Sequence, residues 1–533
     1  MSLAETIVKL RNEKGVSQEF VAEKLNISRQ AIQKWEKGTA APDFKNLVGL
    51  SKLFGVTMDT IAFGSDARET EAMESGKKIV PSINLLHNWE RYSSSLLTEY
   101  RQSIEEGLDV EEYKPLFDAV GSLQVSEFKE KLADVIFDMV INAPTRPGYS
   151  YREPNTLDEI KALRNLSLYS VDENTKCYNL KDRICGAWYG RICGCLLGKT
   201  VEGIRTNELH PMLKASGNYP MHRYINSKDI TPEMHETYKF RFAGRCFGDT
   251  VEFMPVDDDT NYTVLYQLLV EERGRDFTPY DVARHWLAKQ PKDSYCTAER
   301  VAYVNFIKGY YPPESAIYKN PFREWIGAQI RGDYFGYINP GDPEAAADMA
   351  WRDGCIAQVK NGIYGEMFVA AMIACAAVTD DIADIIRGGL SQIPETSRLY
   401  ERITAVLADF ERGVSEESFF TDLHKRWDEF SAHDWCHTIS NAEIVAASLL
   451  YGKGDYGRSI CMAVEQGFDT DCNGATVGSI LGMRNGISGI GSEWTAPING
   501  TLATTIFGVG KVKIDDLVNK TFDHIDKNNK HVI

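Results

Sequence analysis

DRICGAWYGRICGCLLGKTVEG, Asp182 to Gly203, places glycine at 186, 190, 194 and 198, one every four residues. Glycine in a helix interior costs about 1 kcal/mol relative to alanine, so four on one face need a compensating gain. A bare stripe supplies one by letting another backbone come close. The plain structural reading ends at close packing. The functional reading adds that the helix ends beside Glu202, which can then reach a central site. A second stripe, Gly474, Gly478 and Gly482, follows GFDTDC at 467–472. From Asp182 onward nearly every segment has helical spacing and none alternates convincingly with period two, so the pattern predicts an all-α fold.

Outward from these stripes, 533 residues exceed one ordinary core, and at least two domains are expected. The formal charge of −17 is uneven: residues 1–60 carry +2 and the remainder −19. A polyphosphate partner therefore belongs to the front end alone. Eleven cysteines are scattered without a CxxC pair, the nearest two being Cys193 and Cys195. Reduced thiols in a cytoplasmic protein explain this better than a disulfide frame or a zinc site. MSLAETIVKLRNEKG turns polar too early for a secretion signal. The longest apolar run, Met367 to Val378, is twelve residues, too short to span a bilayer. It reads as a buried helix, and no membrane partner is expected.

At the front, Leu3, Ile7 and Leu10 have helical spacing. In SQEFVAEKLNISRQAIQKWEKG, Ser17 suits an N-cap, with Phe20, Val21 and Leu25 facing inward. Asn26 suits a left-handed turn, and Ser28 caps a helix with Ile32 and Trp35 inside. The outer face then carries Arg29, Gln30, Gln33 and Lys34, the side chains that pair with base edges and phosphates. Two further helices are expected around Phe44–Leu53 and Met58–Ala62. This stretch resembles the Cro/repressor-type helix-turn-helix domain over about 60 residues. Gln18, Ser28-Arg29-Gln30, Trp35-Glu36 and Pro42 carry the match, with Asn26 in place of the usual turn glycine. The resemblance implies DNA binding through Gln18, Ser28, Arg29, Gln30, Gln33 and Lys34, and a homodimer reading two half-sites. The expected organisation is a five-helix DNA-binding domain at 1–65, a linker at 66–80, a helical extension at 81–180 and an all-α catalytic domain at 181–533.

Three segments of the rear part carry carboxylates. Glu202 follows the first glycine stripe, Asp257, Asp258 and Asp259 are consecutive, and Asp469 and Asp471 precede the second stripe, on the same side of an extended turn since side chains at i and i+2 point together. One or two acids at a helix start are an ordinary cap, favoured by the helix dipole. Three in a row repel one another and call for a cation. Six carboxylates without a histidine cluster suit hard divalent ions such as Mg²⁺ or Mn²⁺.

This part resembles the ADP-ribosylglycohydrolase family, which includes the dinitrogenase-reductase activating glycohydrolase and the ADP-ribosyl-acceptor hydrolases, from Asp182 to about Thr521. The resemblance implies two Mg²⁺ or Mn²⁺ ions held by Asp257, Asp258, Asp259, Asp469, Asp471 and Cys472. It makes Glu202 and Asp258 the catalytic candidates. Asp257 stands where the family has a hydroxyl, and Cys472 where a threonine is usual. RGDYFGYINPGDPEAAADMA, from Arg331, resembles the family's diphosphate loop, implying substrate contacts from Gly332, Asp333 and Gly336. KNGIYGEMFVAAMIA implies Tyr364 and HDWCHTISNAEIVAASLLYG implies His437 and Asn441 as pocket residues, while Gln358 replaces a histidine common among relatives. The implied function is hydrolysis at the ribosyl C1″ of an ADP-ribosylated protein or an ADP-ribose derivative, tethered to a DNA-binding head. The alternative is a transcription regulator that uses the same domain as an ADP-ribose sensor.

Overall fold

The structure, a computed structural model, describes residues 2–56, 60–61, 82–172, 174–239, 241–526 and 529–532. The chain divides into two compact units, Met1–Ser82 and Ile83–Ile533.

In the first unit, α1 (Leu3–Glu13), α2 (Gln18–Leu25), α3 (Arg29–Glu36) and α4 (Phe44–Phe54) enclose Ile7, Val21, Ile32, Trp35 and Leu50. The expected caps form: Ser17 accepts from the Phe20 N–H and Ser28 from the Ala31 N–H. Asn26 adopts φ 54°, the left-handed turn between α2 and α3. Phe20 departs from expectation. It is 38 % exposed, because the inward face of α2 is Val21, Ala22 and Leu25, which leaves position 20 on the flank beside Lys24. The helix expected at Met58–Ala62 falls largely outside the described residues, and the linker expected at 66–80 does so entirely.

The second unit is helical, as the spacing predicts. Its principal helices are α5 (Leu96–Glu105), α6 (Glu127–Ile141), α7 (Leu180–Lys199), α8 (Asp258–Arg273), α9 (Asn361–Ala376), α10 (Thr438–Gly452) and α11 (Thr470–Asn485). An antiparallel ribbon, Thr501–Ala503 with Lys511–Lys513, adds a small strand element that the pattern did not announce. α9 contains most of the twelve-residue apolar run and is buried at every position, as a helix apolar all round must be. No helix among the described residues is long and apolar enough to cross a membrane, and all eleven cysteines are free.

The two glycine stripes face each other. A Cβ added to Gly186 would lie 2.3 Å from the Gly482 carbonyl oxygen, one on Gly190 2.2 Å from that of Gly478, and one on Gly194 2.0 Å from that of Gly474. At Gly198 the clash would be with Thr470 O, at 2.1 Å. Ascending numbers on α7 meet descending numbers on α11, so the helices are antiparallel and in backbone contact. The C-terminal end of α7 therefore lies against the N-terminal end of α11.

α5 and α6 build a satellite core from Leu96, Ala133, Ile136 and Val140, with Phe117 from the short helix Lys114–Gly121 between them. Buried ion pairs join this segment to the main body. Arg323 reaches Glu99 (2.8 Å) and Glu106 (2.5 Å), and Arg398 reaches Glu153 (2.8 Å) as well as its neighbour Glu324 (2.7 Å).

Candidate functional site

Three chain segments bring acids together where α7 ends and α8 and α11 begin. Asp257 is the N-cap of α8, with Asp258 and Asp259 in the first turn; Asp469 is the N-cap of α11, with Asp471 in its first turn. The helix α11 starts at Thr470, so Asp469 and Asp471 do not lie on an extended turn as their i, i+2 spacing predicts. The positive ends of two helix dipoles point at the cluster, a modest attraction for negative charge.

Asp257 is already engaged. Its Oδ1 accepts the Asp259 N–H (3.0 Å) and its Oδ2 lies 2.8 Å from Lys199 Nζ. Asp259, 0 % exposed, has its Oδ1 3.1 Å from Arg191, whose guanidinium also donates to the Asp259 carbonyl. The opposite side of Arg191 pairs with Asp333 at 2.9 Å. Asp259 Oδ2 and Asp471 Oδ1 are buried and find no hydrogen-bond partner among the described residues, and Asp471 is only 4 % exposed. Donor atoms of Asp259, Asp471 and Cys472 lie within 4.8 Å of one another, as do those of Cys195, Asp257 and Asp259.

Burial, reinforced by neighbouring acids, pushes the carboxyls of Asp258 and Asp471 well above the usual range. Asp259 is driven the same way by burial, although Arg191 opposes the shift. Glu202 reaches solvent; desolvation by the groups around it, with Asp469 and Asp257 adding like charge, raises it to about 7. Orphaned buried carboxylate oxygens are expensive unless a cation meets them. Six carboxylates against Lys199 and a shared Arg191, with donors at coordination spacing, fit a divalent metal ion.

In the front unit, Ser28, Arg29, Gln30, Gln33 and Lys34 are exposed along the start and outer face of α3. Arg29 reaches Glu19 at 2.6 Å, a surface pair that a phosphate can replace. Ser28 is engaged as the cap. Gln18 is turned inward: its amide donates to Glu36 (2.7 Å), which also holds Arg11 (2.6 Å). Its side chain thus tethers α2 to α3.

The family model described as ADP-ribosylglycohydrolase matches residues 176–530, about two thirds of the chain. The chain belongs to the ADP-ribosylglycohydrolase family. A helix-turn-helix model matches residues 7–61. Among curated proteins, the chain is 40 % identical over 82 residues to the HTH-type transcriptional activator BcrR of Enterococcus faecalis, covering 15 % of this chain and 40 % of that protein. It therefore spans well under two thirds of that relative's length. It is 32 % identical over 104 residues to the prophage-derived regulator YonR of Bacillus subtilis (strain 168), covering 19 % of this chain and 96 % of that protein. A solved "ADP-ribosylglycohydrolase-related protein complex" aligns at TM-score 0.35 and 16 % identity, covering 59 % of this chain and 91 % of that one.

Of the substrate-side residues expected from the ADP-ribosylglycohydrolase resemblance, only Asn441 is tied directly to the acids. Its Oδ1 accepts from the Asp469 N–H (3.3 Å) and from Asn473 (2.8 Å), and its amide donates to Trp435 and His437 carbonyls. Gly332 and Gly336 pack against α9: a Cβ would meet Glu366 O at 2.8 Å and Ile373 Cβ at 2.6 Å, and Asp333 pairs with Arg191. The Tyr364 hydroxyl donates to the Pro154 carbonyl. Gln358 lies between Glu299 and Arg331. His437 caps α10, its Nδ1 accepting from the Ile439 N–H (3.1 Å).

His437, His433 and Glu105 form a third compact group. Trp325 donates to His433 Nδ1 (3.2 Å), and His437 Nδ1 is likewise an acceptor. His433 then carries its proton on Nε2 and donates it to Glu105 at 3.0 Å, as a donor to a carboxylate rather than a metal ligand. His437 Nε2 lies 3.6 Å from the same carboxylate, beyond hydrogen-bond reach.

Sequence reasoning missed Arg191, Cys195 and Lys199. The signal was present: they recur every four residues, each one position after a stripe glycine, and so line the edge of the α7–α11 contact.

Proposed function

We propose that the rear domain hydrolyses the bond at the ribosyl C1″ of an ADP-ribosylated protein or small molecule and releases ADP-ribose. In this reading the front domain places that activity on DNA, acting as a homodimer. The observation that carries it is the convergence of Glu202, Asp258, Asp259, Asp469 and Asp471 at three helix ends, with one buried oxygen each of Asp259 and Asp471 left for a cation. Two divalent ions, Mg²⁺ or Mn²⁺, would position the ribose hydroxyls and make a water more acidic. Glu202, open to solvent and raised to about 7, is the residue we assign to hold the proton of an attacking water. Asp258 is the second candidate for that role. Lys199 holds Asp257 as the cap of α8, and Asn441 fixes the backbone of Asp469. Arg191 orients Asp259 so that one oxygen faces the cluster.

We further propose that residues 81–180 are an extension of the catalytic domain, fastened by the Arg323 and Arg398 ion pairs. The test of function offers arginine-linked, serine-linked and O-acetyl-linked ADP-ribose with Mg²⁺ or Mn²⁺ and measures free ADP-ribose. Release from one of these, lost in Glu202→Gln, is expected. Tight binding of ADP-ribose with no release from any substrate would replace hydrolysis by the sensor reading.

A further inference from the structure

Among the described residues, two cysteines form compact groups with acids of this centre, and they are not equivalent. Cys195 lies with Asp257 and Asp259, but both Asp257 oxygens are committed, one to Lys199 and one to the Asp259 N–H. Cys472 lies with Asp259 and Asp471, the two residues that each keep a buried oxygen without a partner. Asp259 Oδ2 and Asp471 Oδ1 are thus carboxylate oxygens left to meet an ion, and the Cys472 thiol, in contact with the Asp469 carboxylate, completes a compact group of three buried residues.

We propose that this position is a mixed oxygen–sulfur site that takes a thiophilic divalent ion, Zn²⁺ or Co²⁺ in type, in preference to Mg²⁺. The proposal rests on the metal reading above. Mg²⁺ demands oxygen ligands in near-octahedral array and gives up its waters reluctantly, whereas this position offers a sulfur beside two carboxylates. Zn²⁺ accepts carboxylate oxygen and thiolate sulfur together in a tetrahedral set and keeps a fourth place for substrate. On binding, the Cys472 S–H bond breaks, its proton passes to solvent, and the sulfur lone pair binds the ion. Asp258, Asp469 and Glu202 offer only oxygen, so a second ion on that side stays a hard one. The centre is thus asymmetric, with one thiol-bearing and one all-oxygen position.

The test uses the full chain stripped by chelator and titrated with Co²⁺, reading the near-ultraviolet sulfur-to-cobalt charge-transfer band. Wild type is expected to show the band, Cys472→Ser to lose it and Cys195→Ser to keep it. Zn²⁺ affinity, measured by competition, is expected to fall at least about tenfold in Cys472→Ser, since even outer partners of a ligand cost that much; Mg²⁺ affinity should be unchanged. Cys472→Thr repeats the comparison should the serine variant not fold. Cobalt bound with an all-oxygen spectrum in wild type overturns the thiol assignment while leaving the metal reading intact. A band that depends on Cys195 also overturns the assignment. A wild-type chain that binds none of Co²⁺, Zn²⁺, Mn²⁺ or Mg²⁺ removes both.

Discussion

Arg191 and Asp259 put opposite charges at full burial, and each has what the other requires: a second carboxylate for the arginine in Asp333, and a free oxygen for the aspartate. Removing one member of such a pair strands the other. Arg191→Leu is expected to lower unfolding stability in urea by about 3–5 kcal/mol and to weaken divalent-ion binding at the same time. Glu202 gives a pH dependence of definite sign. Its folded carboxyl titrates at about 7, above the ordinary value of 4.5, so its contribution is present at pH 4 and lost as pH rises through 7. A chelated protein is therefore expected to melt at a lower temperature at pH 8 than at pH 5. Added Mn²⁺ should raise the melting temperature more at pH 8. Glu465, also raised to about 7 by burial, adds the same slope. Being away from the cluster, it should add none of the metal response, so Glu465→Gln should flatten only the metal-independent part.

At the scale of elements, the contact between α7 and α11 decides where the acids meet. Glycine-to-alanine in a helix ordinarily stabilises by about 1 kcal/mol. At Gly190 or Gly478 the added Cβ would sit 2.2 or 2.1 Å from the opposing carbonyl oxygen, so the helices must part. Gly478→Ala is expected to reverse that sign, destabilising by about 1–3 kcal/mol in chemical denaturation and loosening metal binding. The stripes were legible because four-residue glycine spacing has few other uses in a helix. Their mutual, antiparallel pairing was not, since a bare stripe admits any backbone and says nothing about direction. The packing of Arg331–Ala350 was hidden for a related reason. Gly332 and Gly336 among aromatic residues suggest a ligand loop, and only the tertiary contact reveals that they give clearance to α9. Asp471 reached the site through a helix start at Thr470 rather than through the strand-like geometry its spacing suggested. Gln18 points into a polar contact that local sequence could not expose, because Glu36 lies 18 residues on.

At the scale of the whole molecule, a front unit with an exposed Arg29, Gln30, Gln33 and Lys34 face accompanies a strongly acidic remainder. Replacing Gln30 and Gln33 by alanine is expected to relax discrimination between promoter fragments in gel retardation. Lys34→Ala should instead weaken all fragments alike and reduce the salt dependence. The central claim concerns the other unit: that the acids at the ends of α7, α8 and α11 form one cation-requiring hydrolytic centre. Its most direct test is the rate of ADP-ribose release from an ADP-ribosylated substrate as Mn²⁺ is returned to chelated protein, for wild type and Asp471→Asn. The account expects no release without metal, recovery in wild type as metal is restored, and none in Asp471→Asn. Equal release by both proteins, or release that persists in chelator, would contradict it.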